Sequence, residues 1–185
     1  PRLTAIEERA GVDIFCSDKT GTLTKNEMRV AEPVVLDGYD EEQLFLTAAL
    51  ASRLENGDPI ELPIFDYSEV HLPNLVIEEH SQLHFIPFDP VSKRTEAEIE
   101  YKGKHYCVIK GVPQVLLELA DLSDNEIVSI NSTVDLLTAK GYRTLAVGRT
   151  KVEEVEFLWR VQLFDTRRDD SQQAIEALHD ESMQV

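Results

Sequence analysis

A chain of 185 residues, 42% hydrophobic and 29% charged, holds enough apolar material for one core, or one core and a small second lobe. No window approaches the roughly 18 consecutive apolar residues of a membrane span, and the opening Pro1-Arg2-Leu3-Thr4 lacks the basic-then-apolar pattern of a signal peptide. A formal net charge of -17 argues against nucleic-acid binding, which needs a basic footprint, although a nucleotide site needs only a few well-placed cations.

Val12-Asp13-Ile14-Phe15-Cys16 reads as a short buried strand opening into a polar, glycine-containing turn, Ser17-Asp18-Lys19-Thr20-Gly21-Thr22. Val30 to Leu36 predicts a strand broken by Pro33, with Asp37-Gly38 as its turn. Asp40 is placed to cap a helix running to about Leu54, with Leu44, Leu46, Ala48, Leu50 and Leu54 on a broad apolar face. Asn56-Gly57-Asp58-Pro59 ends it. A weaker helix over Ile60 to Tyr67 is interrupted by Pro63. Gln82 to Phe88 alternates as a strand up to Asp89-Pro90. Lys102-Gly103, between Thr95–Tyr101 and Lys104–Ile109, is a hairpin signal. Helices follow at Val112–Ala120 and Asn125–Lys140, the second closed by Gly141. Arg143–Gly148 and Val155–Leu163 read as strands, and Asp169 or Ser171 starts a last helix toward His179. Cys16 and Cys107 lie in apolar runs without ligand spacing, which predicts buried free thiols. The middle is therefore mixed, with paired strands and helices, while the two ends look like halves of something else.

Three segments carry chemistry. In Asp18-Lys19-Thr20-Gly21-Thr22-Leu23-Thr24, an aspartate at the carboxyl end of a strand is presented where open α/β sheets bind ligands. Such a carboxylate can attack phosphorus, adjacent oxygens can hold Mg²⁺, and Lys19 with the Thr20 and Gly21 amides can neutralise a transferred phosphoryl group. In Phe85-Ile86-Pro87-Phe88-Asp89-Pro90-Val91-Ser92-Lys93-Arg94-Thr95, an aromatic beside a cation pair offers a purine a stacking face and phosphates positive charge. In Val108-Ile109-Lys110-Gly111-Val112-Pro113, a strand delivers a lysine, then a glycine that admits a ligand to the backbone, then a proline opening a helix.

The heptapeptide, preceded by Cys16-Ser17, resembles the phosphorylation signature of P-type ATPases, which are built on a haloacid-dehalogenase-like core. The resemblance implies that Asp18 is phosphorylated by ATP and that Thr20 lends a backbone oxygen to Mg²⁺, making Asp18 and Thr20 the metal-side residues and Asp18, Lys19 and Thr20 the catalytic ones. Leu3-Thr4-Ala5-Ile6-Glu7-Glu8 looks like the lead-in from the fourth membrane helix, in wording closest to the plasma-membrane proton pumps. The second segment is similar to the stretch whose aromatic, here Phe88, stacks on adenine while a lysine, here Lys93, lies beside the nucleotide. The third resembles Lys-Gly-Ala-Pro-Glu, which implies Lys110 and Gly111 in the adenine pocket and departs from the pattern at Val112 and Gln114. Gly141-Tyr142-Arg143-Thr144-Leu145-Ala146-Val147 resembles the segment whose arginine, here Arg143, reaches the phosphates. Glu55-Asn56-Gly57-Asp58-Pro59-Ile60-Glu61 resembles a loop with an acid, here Glu61, near the adenine amino group. Leu163-Phe164-Asp165-Thr166-Arg167-Arg168 looks like the returning hinge, normally Asp-Pro-Pro-Arg, and puts Asp165 and Arg168 among the nucleotide-side residues; Thr166 and Arg167 replace the prolines, so the hinge should be less stiff.

The expected fold is α+β, an antiparallel sheet with flanking helices, plus incomplete strips of a dehalogenase-like α/β domain at both ends. The expected divisions are 1–26, first strip; 27–161, nucleotide-binding domain; 162–185, returning strip. The family's later Thr-Gly-Asp segment, catalytic lysine and Gly-Asp-Gly-x-Asn-Asp loop have no counterpart, which implies a fragment. The implied parent is a multi-pass cation pump of the proton-pump branch, with this portion cytoplasmic, not itself inserted in the membrane, and using ATP and Mg²⁺; its partners are ATP and the pump's membrane helices and actuator domain. Two alternatives are a stand-alone dehalogenase-like phosphatase and a non-catalytic nucleotide-binding module. The phosphatases carry a second aspartate two positions after the first, where this chain has Thr20.

Overall fold

The computed structural model describes residues 13–31, 33–36, 38–151 and 154–184, without the side chains of 151 and 154–159. They divide into two compact units: Met28–Phe164, and the described residues up to Glu27 together with those from Asp165 onward.

In the larger unit, α1 (Glu41–Leu50) begins where the Asp40 carboxylate accepts the Gln43 backbone N–H at 2.7 Å and the Gln43 side chain accepts the Asp40 N–H at 3.2 Å. This reciprocal cap satisfies two donors that the first helical turn leaves without partners. The helix stops at Leu50, earlier than its sequence pattern suggests. Ala51 and Ser52 stay buried, a single 3₁₀ turn follows over Leu54–Asn56, and Leu54 is left exposed. In α2 (Leu62–His71), Pro63 opens the helix instead of interrupting it, because the first turn has no intrahelical use for the missing N–H.

The sheet runs in the order β1-β7-β6-β5-β4-β3, with β1 (Thr24–Val30), β3 (Ser81–Asp89), β4 (Arg94–Tyr101), β5 (Lys104–Gly111), β6 (Arg143–Lys151) and β7 (Glu154–Arg167); β2 (Val34–Val35) pairs with β7. The strand expected over Val30–Leu36 is thus displaced. β1 ends at Val30 and only two residues pair after Pro33, which has no N–H for a ladder. The β4–β5 hairpin turns at Lys102-Gly103, both at positive φ (50° and 73°), as a two-residue turn matching strand twist requires.

Alternation along the strands feeds two cores. Val108, Val147, Val161 and Leu163 face α1 and α2, whose Leu44, Phe45, Ala48 and Ile64 are fully buried. Ile109 and Ala146 face the other way, onto α3 (Pro113–Leu119) and α4 (Asp124–Ala139) through Leu116, Leu117, Ile130 and Val134. The result is the expected antiparallel sheet flanked by helices. Among the described residues, no helix is long and apolar enough to cross a membrane.

The smaller unit contains the turn Lys19–Leu23, the first residues of β1, the end of β7 and α5 (Ser171–Asp180). The buried strand expected over Val12–Cys16 does not form in its described part. Ile14 makes a single parallel bridge to Gln184, and Ile14, Phe15 and Cys16 are exposed. A strand is buried only when layers cover it, and the described residues supply one bridge and no apolar layer. Val12 lies outside the described residues. Cys107 is half-buried, and burial, aided by Glu98 and Glu96, pushes its thiol above the usual range, so it is no activated nucleophile.

Candidate functional site

Strand register brings five of the sequence-derived residues, Phe88, Lys93, Lys110, Gly111 and Arg143, to one end of the larger unit's sheet. Asp89 pairs with Arg94, Arg94 with Gly111 and Gly111 with Ala146, so the end of β3, the start of β4 and the end of β5 form one row. Arg143 begins β6 three residues before Ala146, at the same end. Phe88, one residue before the row, is 54% exposed despite its size, a ring left open to solvent.

The turn between β3 and β4 is built by Asp89. Its carboxylate accepts the Ser92 N–H at 2.8 Å and its carbonyl accepts the Lys93 N–H at 2.7 Å. The first of these bonds holds the carboxyl below the ordinary aspartate range. Lys93 sits at φ 54°, in the left-handed region, and its carbonyl accepts the Val112 N–H at 3.1 Å. This explains Gly111. A Cβ there would lie 2.6 Å from the Lys93 carbonyl oxygen and 2.7 Å from the Arg94 Cβ. The glycine seats the lysine turn against β5. Lys93 and Arg143 are exposed and form no ion pair among the described residues, whereas Arg94 Nε is held by Glu96 at 2.5 Å.

Lys110 and Glu61 are the opposite case. Lys110 is 4% exposed, and its ammonium donates to Glu61 Oε1 at 2.7 Å and Ser52 Oγ at 2.5 Å. Glu61, 6% exposed, uses its other oxygen to accept the Arg53 N–H at 3.1 Å. The Ser52 hydroxyl donates to the Ala48 carbonyl, and Thr95 Oγ1 donates to the Ala51 carbonyl, each at 2.7 Å. Burial pushes the Lys110 pKa down, and Glu61 opposes the shift by favouring the charged form. The cluster ties the end of β5 to the end of α1 and the start of α2. Ser52 carried no signal in the sequence, and Thr95 closed the Phe85–Thr95 segment without being singled out.

In the smaller unit, Asp18, Lys19 and Thr20 are exposed, and Asp18 ends an extended stretch (φ -70°, ψ 141°) before the turn. Gly21 at φ 77° reverses the chain, and Thr24 closes it: its N–H donates to the Lys19 carbonyl, and its side-chain oxygen accepts the Gly21 N–H at 3.2 Å. Thr24 is 3% exposed; its hydroxyl donates to Asp165 Oδ2 at 2.5 Å, with the Lys19 carbonyl 3.1 Å away, and Asp165 Oδ1 accepts the Glu27 N–H at 3.1 Å. Arg168 pairs with Asp170 at 3.3 Å and lines, with Lys25, Asp169 and Asp170, an open hollow of about 410 Å³. Lys25 and Asp169 pair at 3.2 Å. Asp165 and Arg168 thus belong to the unit of Asp18, and the other six nucleotide-side residues to the larger unit.

The Asp18 carboxylate and the Thr20 carbonyl are hard oxygen donors of the kind Mg²⁺ takes, alongside waters and phosphate oxygens. Among the described residues no group of three or more His, Cys, Asp or Glu side chains is arranged to hold a metal. The set fits an ion bound with its phosphate substrate, not a closed protein cage.

No protein-family model matches the chain. The chain is similar to the Putative cation-transporting ATPase MJ1226 of Methanocaldococcus jannaschii, with 41% identity over 177 residues, 96% of this chain and 22% of that protein. In fold it is similar to the crystal structure of a zinc-transporting PIB-type ATPase, at TM-score 0.60 and 22% identity, covering 97% of this chain and 26% of that one. The chain spans about a quarter of the length of the proteins it matches. The second likeness shows the fold alone, an α+β antiparallel sheet with flanking helices.

Proposed function

We propose that this chain is the ATP-binding portion of a P-type cation pump, carrying in Asp18 the aspartate that accepts the γ-phosphoryl group. The carrying observation is the row Asp89–Arg94–Gly111–Ala146, which supports a nucleotide site by gathering an open aromatic, two cations without an ion pair among the described residues, and a glycine-seated turn at one sheet end. Adenine stacks on Phe88, with Lys93 beside the nucleotide and Arg143 reaching for its phosphates. Lys110 and Glu61 form the floor of the pocket, fixed by each other before any ligand arrives.

In the chemical step an Asp18 carboxylate oxygen bonds to the γ-phosphorus while the bond to the bridging oxygen breaks. ADP leaves with that electron pair, and an acyl phosphate remains on Asp18. Lys19 offsets charge on the transferred group. Mg²⁺, when bound at the Asp18 carboxylate and Thr20 carbonyl, supplies further charge compensation. Water later hydrolyses the acyl phosphate and restores the carboxylate, which in the whole protein is coupled to cation movement. The proton is the proposed cation, on the wording of the proton-pump branch in Leu3–Glu8 and Phe85–Thr95. The proposed setting is the cytoplasmic face of a multi-pass membrane protein.

Titration with ATP, followed by amide chemical shifts of the labelled chain, tests the pocket. Binding in the sub-millimolar to millimolar range is expected from a few solvent-exposed contacts, with at least a severalfold loss in Phe88→Ala. The same shifts in wild type and Phe88→Ala would remove the stacking role.

A further inference from the structure

The hinge resemblance places Asp165 beside the nucleotide. Both oxygens of its carboxylate instead hold hydrogen bonds at the foot of the turn that carries Asp18. Oδ2 accepts the Thr24 hydroxyl at 2.5 Å and Oδ1 accepts the Glu27 N–H at 3.1 Å. The Thr24 hydroxyl also lies 3.1 Å from the Lys19 carbonyl, but its single proton goes to the shorter, charged acceptor, so a directional relay results in which Gly21 N–H donates to Thr24 Oγ1 and the Thr24 hydroxyl donates to the Asp165 carboxylate. Each bond polarises the next, and its charged terminus makes it stronger than a neutral pair. Two more bonds fix the same turn from the following residues. The Leu23 carbonyl accepts the Arg168 N–H at 3.2 Å and the Ser171 hydroxyl at 2.7 Å. Among the described residues, the side chains of Ser17, Asp18, Lys19 and Thr20 form no other hydrogen bond than Ser17 Oγ to the Asp18 carbonyl, so nothing in the Asp18 side chain's own surroundings fixes it. The position of the carboxylate is therefore set through the backbone from Gly21 and Thr24.

We infer that Asp165 and Thr24 are positioning residues for phosphoryl acceptance at Asp18: the Thr24 hydroxyl, held by the Asp165 carboxylate, locks the left-handed turn at Gly21 and with it the direction of the Asp18 backbone. This rests on the reading of Asp18 as the phosphoryl acceptor. It assigns Asp165 to the phosphoryl-accepting turn and not to nucleotide contact. In-line displacement tolerates little misplacement, about 1 Å costing on the order of 100-fold. The effect should fall on the rate of transfer and not on ATP affinity.

The test is single-turnover phosphoenzyme formation from γ-labelled ATP, across ATP concentrations, in the full-length protein that carries this sequence. Thr24→Val keeps the shape but loses the hydroxyl; Asp165→Ala removes the acceptor; Thr24→Ser restores the donor. Maximal rates should fall about 30- to 100-fold in the first two and recover to within about threefold in Thr24→Ser, with half-saturating ATP within about twofold of wild type throughout. Unchanged maximal rates in Thr24→Val and Asp165→Ala would overturn the inference alone. So would a raised half-saturating ATP confined to Asp165→Ala, which would return that residue to the nucleotide, or a Thr24→Ser variant as slow as Thr24→Val. Absence of hydroxylamine-labile label in wild type, or its survival in Asp18→Asn, would sink the acceptor reading itself and this inference with it.

Discussion

Breaking the Lys110–Glu61 pair should cost far more than removing it. Both side chains are nearly inaccessible, at 4% and 6% exposure, and their charged atoms are 2.7 Å apart. Glu61→Leu leaves a buried ammonium with only Ser52 Oγ at 2.5 Å, and Lys110→Met leaves a buried carboxylate with only the Arg53 N–H. Each single change should therefore destabilise by about 3–5 kcal/mol. The double variant exchanges both charges for apolar groups of similar volume and should lie within about 2 kcal/mol of wild type, giving a coupling energy of at least ~4 kcal/mol. Urea unfolding followed by circular dichroism, with m unchanged across the four proteins, gives the cycle. The pH dependence supplies a second reading. Burial already holds the Lys110 pKa below its usual value, and losing Glu61 lowers it further. The unfolded chain keeps that proton up to about pH 10.4. Between the folded and unfolded values the unfolded state binds more protons, so the stability of Glu61→Leu should rise with pH through that window. Single-variant losses that simply add, within about 0.5 kcal/mol, would refute the pairing argument.

Three further outcomes are expected. Gly111→Ala drives a Cβ to 2.6 Å from the Lys93 carbonyl, so backbone must move; about 1–3 kcal/mol of stability should go, together with ATP affinity, in paired denaturation and titration experiments. Asp40→Ala removes half of the reciprocal cap on α1 and should lower stability by about 1 kcal/mol in urea unfolding. Lys102→Asn places a residue tolerant of positive φ in the β4–β5 turn and should raise the melting temperature by a few degrees, for a gain of up to about 1 kcal/mol.

Local chemistry was legible in the sequence where it acts over a few residues. Lys102-Gly103 marked its hairpin and Asp40 its helix cap, because turn and cap preferences are set by near neighbours; of the two starts offered for the last helix, Asp169 and Ser171, the helix begins at Ser171, with no side-chain cap. Pro63 misled, since a proline that opens a helix and one that breaks it differ only in where the helix begins. Leu54 fitted the apolar face of α1 by spacing, but the helix had already ended. The residues proposed for phosphoryl acceptance and nucleotide contact were named from motifs, whereas their partnerships were not. Glu61 and Lys110 are 49 residues apart, and Thr24 and Asp165 are 141 apart. Nothing in either local sequence says that the partner exists. Cys16 shows the reverse error: an apolar neighbourhood in sequence is not a covered one in space.

The outermost strand, β3, leaves Phe88 uncovered, and Leu83 and Ile86 are exposed beside it. A free sheet margin with a greasy surface invites another molecule to add a strand and grow an aggregate. Pro87 lies within that margin and offers no amide hydrogen, the register slips between Ile86 and Asp89, and Pro90 follows at once. The two prolines thus act as a chemical stop: the ring can stay available to a small molecule without making the protein sticky toward its own copies.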